Sequence, residues 1–135
     1  MKIKKCVGAI IHNNEGRIFL MTSPKWKGWI IPGGEIESDE TEEQSLKREI
    51  LEELGIEIED ITRVGEKIKK AERDFYDSNV EFHFIDFFAR AKQTNITPNE
   101  EISDYGWFTI DEALQLNLLD TTKELIEKFR DFNKD

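Results

Sequence analysis

Residues 31–56 read IPGGEIESDETEEQSLKREILEELGI, and the second half of this stretch has the signals of a helix with marked ends. Thr41 and Gln44 fit a capping box, in which the hydroxyl caps the third helical N–H and the amide reaches back. Gly55 suits the left-handed position after a last turn. An apolar stripe at four-residue spacing lies between them, formed by Leu46, Ile50 and Leu54. The sequence therefore predicts a helix over 42–54.

Three glutamates crowd one face of this predicted helix. Glu49, Glu52 and Glu53 stand at i, i+3 and i+4, where like charges cost about 0.2–0.5 kcal/mol per pair. Each acid in the last turn also opposes the helix dipole, at roughly 0.3–1 kcal/mol. One interpretation is a solvated acidic face on which Arg48 pairs with Glu52. The other is a site for a hard cation such as Mg²⁺ or Mn²⁺.

The order of residues around the cluster favours the second interpretation. Its fixed positions, with five and then seven residues between the first three, are Gly34, Glu40, Arg48-Glu49, Ile50, Glu52-Glu53, Gly55 and Ile56. This order resembles, at every defining position, the signature of the Nudix hydrolases. The resemblance implies an α/β fold, an α/β/α sandwich with a mixed β-sheet. It also implies an enzyme that uses divalent metals and water to cleave a pyrophosphate bond in a nucleoside diphosphate linked to another group.

The resemblance also implies roles for individual residues. Glu52 and Glu53 correspond to metal ligands, and Glu49 to a ligand or the base that acts on the attacking water. Arg48 corresponds to a residue that orients the glutamates. Gly33 corresponds to a metal ligand through its carbonyl, which suits a glycine because backbone without a side chain comes close to an ion. Glu40, near the helix start, is either structural or a plain surface acid.

Many family members add a metal-binding carboxylate from a loop ahead of a tryptophan-bearing strand. Before Trp107 this chain offers Glu100, Glu101 and Asp104, and Glu101 is the predicted ligand. The alternative is a plain loop acid.

The predicted substrate contacts are aromatic and basic. Trp26, Trp29 and Tyr76 can stack on a base, and Lys27 can meet phosphates. Each also has an ordinary interpretation, as a core aromatic or a surface lysine. The same two interpretations apply to Lys25, Phe75 and Phe82.

The substrate class is less specified than the family. A small domain with WIIPGGEIE ahead of its box resembles the family branch that cleans nucleoside triphosphates. The predicted substrates are nucleoside triphosphates, including oxidised ones, or nucleotide sugars. The alternatives are dinucleoside polyphosphates, ADP-ribose, or a non-catalytic nucleotide or metal sensor on the same fold. An unrelated acidic interaction domain is a third class, and it predicts no stabilisation by divalent metal.

The rest of the pattern surrounds the helix with strands. Strands are predicted at 3–11, 17–22, 26–31, within 56–70, at 80–91 and at 105–110, and a polar loop at 71–79. The strand at 26–31 is expected to stop at the turn Pro32-Gly33-Gly34. Asp111 is expected to cap a brief helix, and Asp120 or Thr121 to open the last one.

Composition limits the partners. The 135 residues predict one domain, and a net charge of −10 disfavours nucleic acid polymers and acidic membranes. No apolar run is long enough to span a membrane. Cys6 is the single cysteine, predicted to be buried in a strand, and its isolation suits a reducing cytoplasm. The expected partner is a small nucleotide, and a homodimer is compatible with the sequence.

Overall fold

The computed structural model describes residues 2–70 and 80–133, and within them the chain forms six strands and three helices. The strands are β1 Lys2–His12, β2 Ile18–Thr22, β3 Gly33–Glu35, β4 Ile58–Lys70, β5 Val80–Ala91 and β6 Asp104–Phe108. The helices are α1 Glu42–Leu54, α2 Ile110–Ala113 and α3 Asp120–Phe132. The predicted loop at 71–79, with Phe75 and Tyr76, lies outside the described residues.

The strands form one mixed sheet between two helical layers. Its order is β4-β5-β1-β2-β6, with β3 paired to β1; β1 and β5 run parallel and the other pairs run antiparallel. Alternate residues of β1 point to opposite faces, so Val7, Ala9 and Ile11 pack with α1 while Ile10 packs with α3. This confirms the predicted α/β sandwich.

Helix α1 has the predicted ends. The Thr41 hydroxyl accepts from the N–H of Gln44 at 3.1 Å, and the Gln44 side chain accepts from the N–H of Thr41 at 2.9 Å. Gly55 adopts the left-handed conformation at φ 70°. Leu46, Ile50 and Leu54 are fully buried against the sheet, which fixes the rotation of the helix about its own axis. The turn-by-turn positions of the glutamates follow from that rotation.

The predicted strand at 26–31 is wrong, and β3 instead lies where the chain was expected to turn. Residues 23–32 make isolated bridges, Ile30 to Met21 and Trp29 to Leu118, because neighbouring residues bond to different elements. At Gly33 the absent side chain lets the backbone pair closely with β1. A Cβ there would lie 2.0 Å from the carbonyl oxygen of Val7.

Two predictions near the C-terminus also need correction. Thr109, not Asp111, caps α2, and it does so in a capping box with Glu112. The strand predicted at 105–110 therefore ends at Phe108, because the next residues form the cap and the first turn. Helix α3 begins at Asp120, as predicted.

Candidate active site

The most buried carboxylate of the molecule's acidic cluster is Glu53. Its side chain lies between α1 and β3, with 5% of the residue exposed. The backbone N–H of Gly33 donates to Glu53 Oε1 at 2.9 Å. Burial nevertheless raises the pKa of Glu53 to about 8, and the negative charges of Glu49, Glu101 and Glu52 add to the rise. The surroundings of the Glu53 carboxylate therefore contain too little positive charge to stabilise its ionised form.

Glu49 lies one turn earlier on the same face. Burial raises its pKa, against the lowering effect of the neighbouring Arg48. Its carboxylate occupies the space beside Gly34, where an added Cβ would lie 2.3 Å from the Glu49 carboxyl carbon and one of its oxygens. Gly34 thus needs to be glycine because the Glu49 carboxylate lies against it. Gly33 needs to be glycine because the backbone of Val7 lies against it.

Arg48 forms hydrogen bonds to three surrounding carboxylates and holds them in place. Its guanidinium donates to Glu40 at 2.6 and 2.9 Å, to Glu49 at 2.9 Å and to Glu52 at 3.2 Å. It also donates to the carbonyl of Glu35 at 3.2 Å, which ties α1 to β3. Hydrogen bonding to Arg48 lowers the pKa of Glu40 to about 2. The predicted pairing with Glu52 is present, and Glu40 is a structural partner rather than a plain surface acid.

The loop that carries Glu101 is attached to the end of α1 through its backbone. The N–H of Asn99 donates to the carbonyl of Glu53 at 2.9 Å, and that of Thr97 to the carbonyl of Leu54 at 2.8 Å. The Asn99 side chain then accepts from the N–H of Glu101 at 3.0 Å. These contacts bring Glu101 close enough to raise the pKa of both Glu49 and Glu53.

The donor set suits a hard divalent cation, because carboxylate oxygens are the ligands that Mg²⁺ and Mn²⁺ prefer. In the described part of the chain, no three His, Cys, Asp or Glu side chains already converge on one ion position. Arg48 explains this, since it draws Glu49 and Glu52 towards its own guanidinium. Glu49, Glu53 and Glu101 repel one another, and a bound cation would relieve this repulsion. The residues therefore fit the metal predicted for them.

A cleft of about 620 Å³ begins at these acids and crosses the α3 face of the sheet. We call it the central cleft; its floor is formed by Lys4, Cys6, Gly8, Phe82, Phe84, Asp86 and Lys67. Trp26 from the segment after β2 and Thr121 and Thr122 of α3 line its other sides. This volume is typical of a small-molecule site. The acids therefore stand at one end of a space large enough for a nucleotide.

A family model for the NUDIX domain matches residues 2–129 of this chain. The protein belongs to the Nudix family. Members of this family are pyrophosphohydrolases that act on small nucleotide substrates and generally use divalent metals, which confirms the enzyme class predicted from residues 34–56.

Two full-length Nudix relatives have named activities. The chain is 32% identical to the CTP pyrophosphohydrolase of Escherichia coli (strain K12), over 96% of this chain and 93% of the relative. It is 31% identical to the nucleoside triphosphatase NudI of Enterobacter sp. (strain 638), over 91% and 94%. The crystal structure of the MutT NUDIX hydrolase from Burkholderia pseudomallei superposes with a TM-score of 0.78 at 26% identity, covering 94% of this chain and 98% of that one.

Only some of the predicted substrate contacts lie in the central cleft. Trp26 lines the central cleft, and so do Lys25 and Phe82. Trp29 instead packs edge-on against Phe108 in the apolar cluster under α3. Lys27 is exposed outside the lining of the cleft. Tyr76 lies outside the described residues.

Cys6 lies in β1, as predicted, but it is only partly buried because its side chain faces the cleft. Burial and the charge of Glu35 raise the pKa of its thiol to about 11, so it stays protonated. His12 and His83 have structural contacts: His12 lies beside the Phe129 ring, and His83 bonds Glu66 and Glu81.

Sequence reasoning missed two cleft residues, Asp86 and Lys67. Asp86 lies within the most strand-like run of the chain, and Lys67 within an irregular one. Strand alternation could have placed Asp86 on the same face as Phe82 and Phe84. Their proximity across β4 and β5 depends on the pairing register, which is not visible in either strand alone.

No helix among residues 2–70 and 80–133 is long and apolar enough to cross a membrane.

Proposed function

We propose that this protein hydrolyses nucleoside triphosphates to the monophosphate and pyrophosphate, with Mg²⁺ or Mn²⁺ bound by the acidic cluster. The observation that carries the proposal is the position of Glu53 and Glu49 at the end of the central cleft. The activities named for the two full-length relatives, on CTP and on nucleoside triphosphates, support this substrate class. We expect CTP to be among the substrates.

The proposed ligands are Glu52, Glu53, Glu101 and the carbonyl of Gly33, and Glu49 is either a further ligand or the base. Glu53 is the first choice, because its buried carboxylate has the largest unmet need for positive charge. When bound, the metal would lower the pKa of water and neutralise charge on the phosphates. To reach the same ion, Glu52 would have to turn from Arg48, which bonds both of its carboxylate oxygens, whereas Arg48 bonds Glu49 through Oε1 alone.

The reaction breaks one bond and forms one. A water oxygen attacks phosphorus, the bond from that phosphorus to the pyrophosphate oxygen breaks, and the pyrophosphate leaves with its electron pair. The water's proton would pass to the Glu49 carboxylate, whose raised pKa brings it nearer to neutral pH, where a general base works best. Arg48 would keep this carboxylate in place through the bond to its other side.

The test is pyrophosphate and phosphate release from a panel of nucleoside triphosphates, oxidised nucleotides, nucleotide sugars, ADP-ribose and dinucleoside polyphosphates. Each substrate is measured with Mg²⁺, with Mn²⁺ and with EDTA. Glu53→Gln is compared with Glu43→Gln, a change of the same kind at an exposed position of the same helix.

The proposal expects metal-dependent pyrophosphate release from the triphosphates, lost in Glu53→Gln and kept in Glu43→Gln. Preferential turnover of a nucleotide sugar or ADP-ribose would show that this compound, and not a nucleoside triphosphate, represents the substrate class. Metal binding without turnover of any substrate on the panel would favour a sensor.

A further inference from the structure

Two charged side chains lie inside the central cleft, away from the acidic cluster. Asp86 of β5 and Lys67 of β4 approach each other, with Lys67 Nζ 3.7 Å from Asp86 Oδ2. Their side chains are 9% and 17% exposed. Lys67 also donates to the carbonyl of Thr121 at 3.3 Å and lies 3.7 Å from Glu124 Oε2, so its ammonium is held between the sheet and the start of α3. The pair has no role in the chemistry proposed for the glutamates.

Burial of this pair costs desolvation free energy, which a purely structural contact would not need to spend. Desolvation raises the pKa of Asp86 even though Lys67 and Lys128 lower it. Buried ion pairs often add little or nothing to stability compared with apolar side chains of similar volume. A charged pair that lines a cleft is better explained by a ligand that donates to the remaining acceptor sites of the Asp86 carboxylate and shares the Lys67 ammonium with its present partners.

The strand register places the pair at a suitable distance from the reacting end. Gly8 of β1 pairs with Gly33 on one side and with Asp86 on the other, so the three residues form one row across the sheet. Two strand spacings separate Gly33 from Asp86, about 10 Å. A nucleotide with its phosphates at Gly33 and Glu53 would therefore extend its base towards Asp86.

The walls between these ends are apolar. Phe82 and Phe84 precede Asp86 on the same face of β5, with rings nearly parallel at 6° and centroids 5.6 Å apart. Trp26 lines the cleft as well. Aromatic walls bind any base through stacking and do not distinguish one base from another. Selectivity must come from polar groups, and Asp86 and Lys67 are polar groups at that end.

We propose that Asp86 and Lys67 read the edge of the base, and that they select a base with an amino donor beside a ring-nitrogen acceptor, as in cytosine, over uracil. An ionised carboxylate only accepts hydrogen bonds and an ammonium only donates them. Cytosine presents an amino donor at its 4-position, next to an acceptor, whereas the isosteric uracil presents a carbonyl acceptor there, next to a donor. The group at the 4-position projects from the ring and would meet Asp86, the more buried partner.

This inference rests on the proposed nucleotide hydrolysis, and its test separates the two. The kcat/KM values for CTP and UTP are measured for the wild type, Asp86→Asn and the control Glu66→Gln. The carboxamide of Asn has nearly the same shape but both donates and accepts. Glu66 is the β4 neighbour of Lys67, outside the lining of the cleft, and contacts Arg63 and His83. Affinities for CMP and UMP are measured in parallel, because they do not depend on turnover.

The wild type and Glu66→Gln are expected to prefer CTP, and Asp86→Asn to lower the CTP/UTP ratio by about tenfold or more, as for a lost charged hydrogen bond. The ratio for CMP and UMP should fall in the same way. An equal loss for both bases would make Asp86 structural and overturn the proposal, as would a wild type without base preference. Should Asp86→Asn fold poorly, the double variant Asp86→Asn/Lys67→Met removes both charges together and is held to the same ratios.

The monophosphate affinities keep the two proposals distinguishable. A wild type that hydrolyses no triphosphate but binds CMP more tightly than UMP, with the preference lost in Asp86→Asn, refutes hydrolysis and supports base reading. Hydrolysis with an unchanged CTP/UTP ratio in Asp86→Asn supports the proposed hydrolysis and refutes base reading by Asp86.

Discussion

The backbone N–H of Gly33 donates a hydrogen bond to Glu53 Oε1 at 2.9 Å, and this bond joins the edge of the sheet to the acidic face of α1. It is one donor for a carboxylate that is almost fully buried and surrounded by other acids. A single neutral donor does not offset that burial, since the pKa stays raised to about 8. We propose that a bound cation supplies the remaining positive charge there.

The first prediction concerns pH and the metal-free protein. The pKa of Glu53 rises from 4.5 to about 8 on folding, so the folded state holds this proton more tightly than the unfolded one. The group costs nothing below the unfolded value; its cost grows as pH rises and is complete above the folded value. In EDTA, the free energy of unfolding should fall between these pH values by at most about 5 kcal/mol.

Chemical denaturation of the wild type and Glu53→Gln across this pH range measures the effect. The variant has no carboxylate to titrate, so the difference between the two curves isolates Glu53. Addition of Mg²⁺ should flatten the wild-type curve, because a cation favours the ionised form. A wild-type curve parallel to that of the variant in EDTA is incompatible with the raised pKa.

Much of this site was predictable from sequence, because the helix that presents it is local. The capping box, the apolar stripe and Gly55 set the limits and rotation of α1, and these place Glu49, Glu52 and Glu53 on one face. The family signature then assigned chemistry to that face.

The errors arose where pairing between distant segments decides the structure. The run at 26–31 is apolar enough for a strand, but its neighbours bond to different elements, and β3 forms at two glycines that carry no strand propensity. The contact of Glu40 with Arg48 also follows from the loop before α1 rather than from helical spacing.

The second prediction contrasts two adjacent glycines. A methyl group at Gly34 would meet the Glu49 carboxylate, a side-chain end that can move, whereas one at Gly33 would meet the backbone of Val7. Gly34→Ala should therefore impair turnover and metal binding more than stability. Gly33→Ala should destabilise the fold by about 1–3 kcal/mol. Thermal unfolding beside metal titration checks both, and equal effects of the two changes on stability would refute the contrast.

The third prediction concerns Arg48 as a positioning residue. Lysine keeps the charge but cannot bond several carboxylates at once in the planar geometry of a guanidinium. Arg48→Lys should lower kcat or metal affinity roughly 10–100-fold, as for other residues that orient ligands. Arg63→Lys is the matched control, because Arg63 pairs with Glu42 at the surface away from the cleft. Equal activities of the two variants would exclude the positioning role.

The fourth prediction tests the loop acid. Glu101 raises the pKa of Glu49 and Glu53, so its neutralisation should lower both and stabilise the metal-free protein slightly. As a proposed ligand, Glu101 should also contribute to metal affinity, and Glu101→Gln should weaken it about tenfold. Glu100→Gln is the control, since Glu100 is adjacent and also lines the cleft. Isothermal titration with Mn²⁺ gives the comparison, and an unchanged affinity in Glu101→Gln would remove it from the ligand set.

The central claim is that buried Glu53 is required for metal-dependent hydrolysis. It is tested most directly by pyrophosphate release from a mixture of ribonucleoside triphosphates with Mg²⁺, comparing wild type, wild type with EDTA, and Glu53→Gln. We predict release by the wild type, none with EDTA, and almost none by the variant, whose melting temperature in EDTA is at least that of the wild type. Full turnover by a folded Glu53→Gln protein would contradict the account.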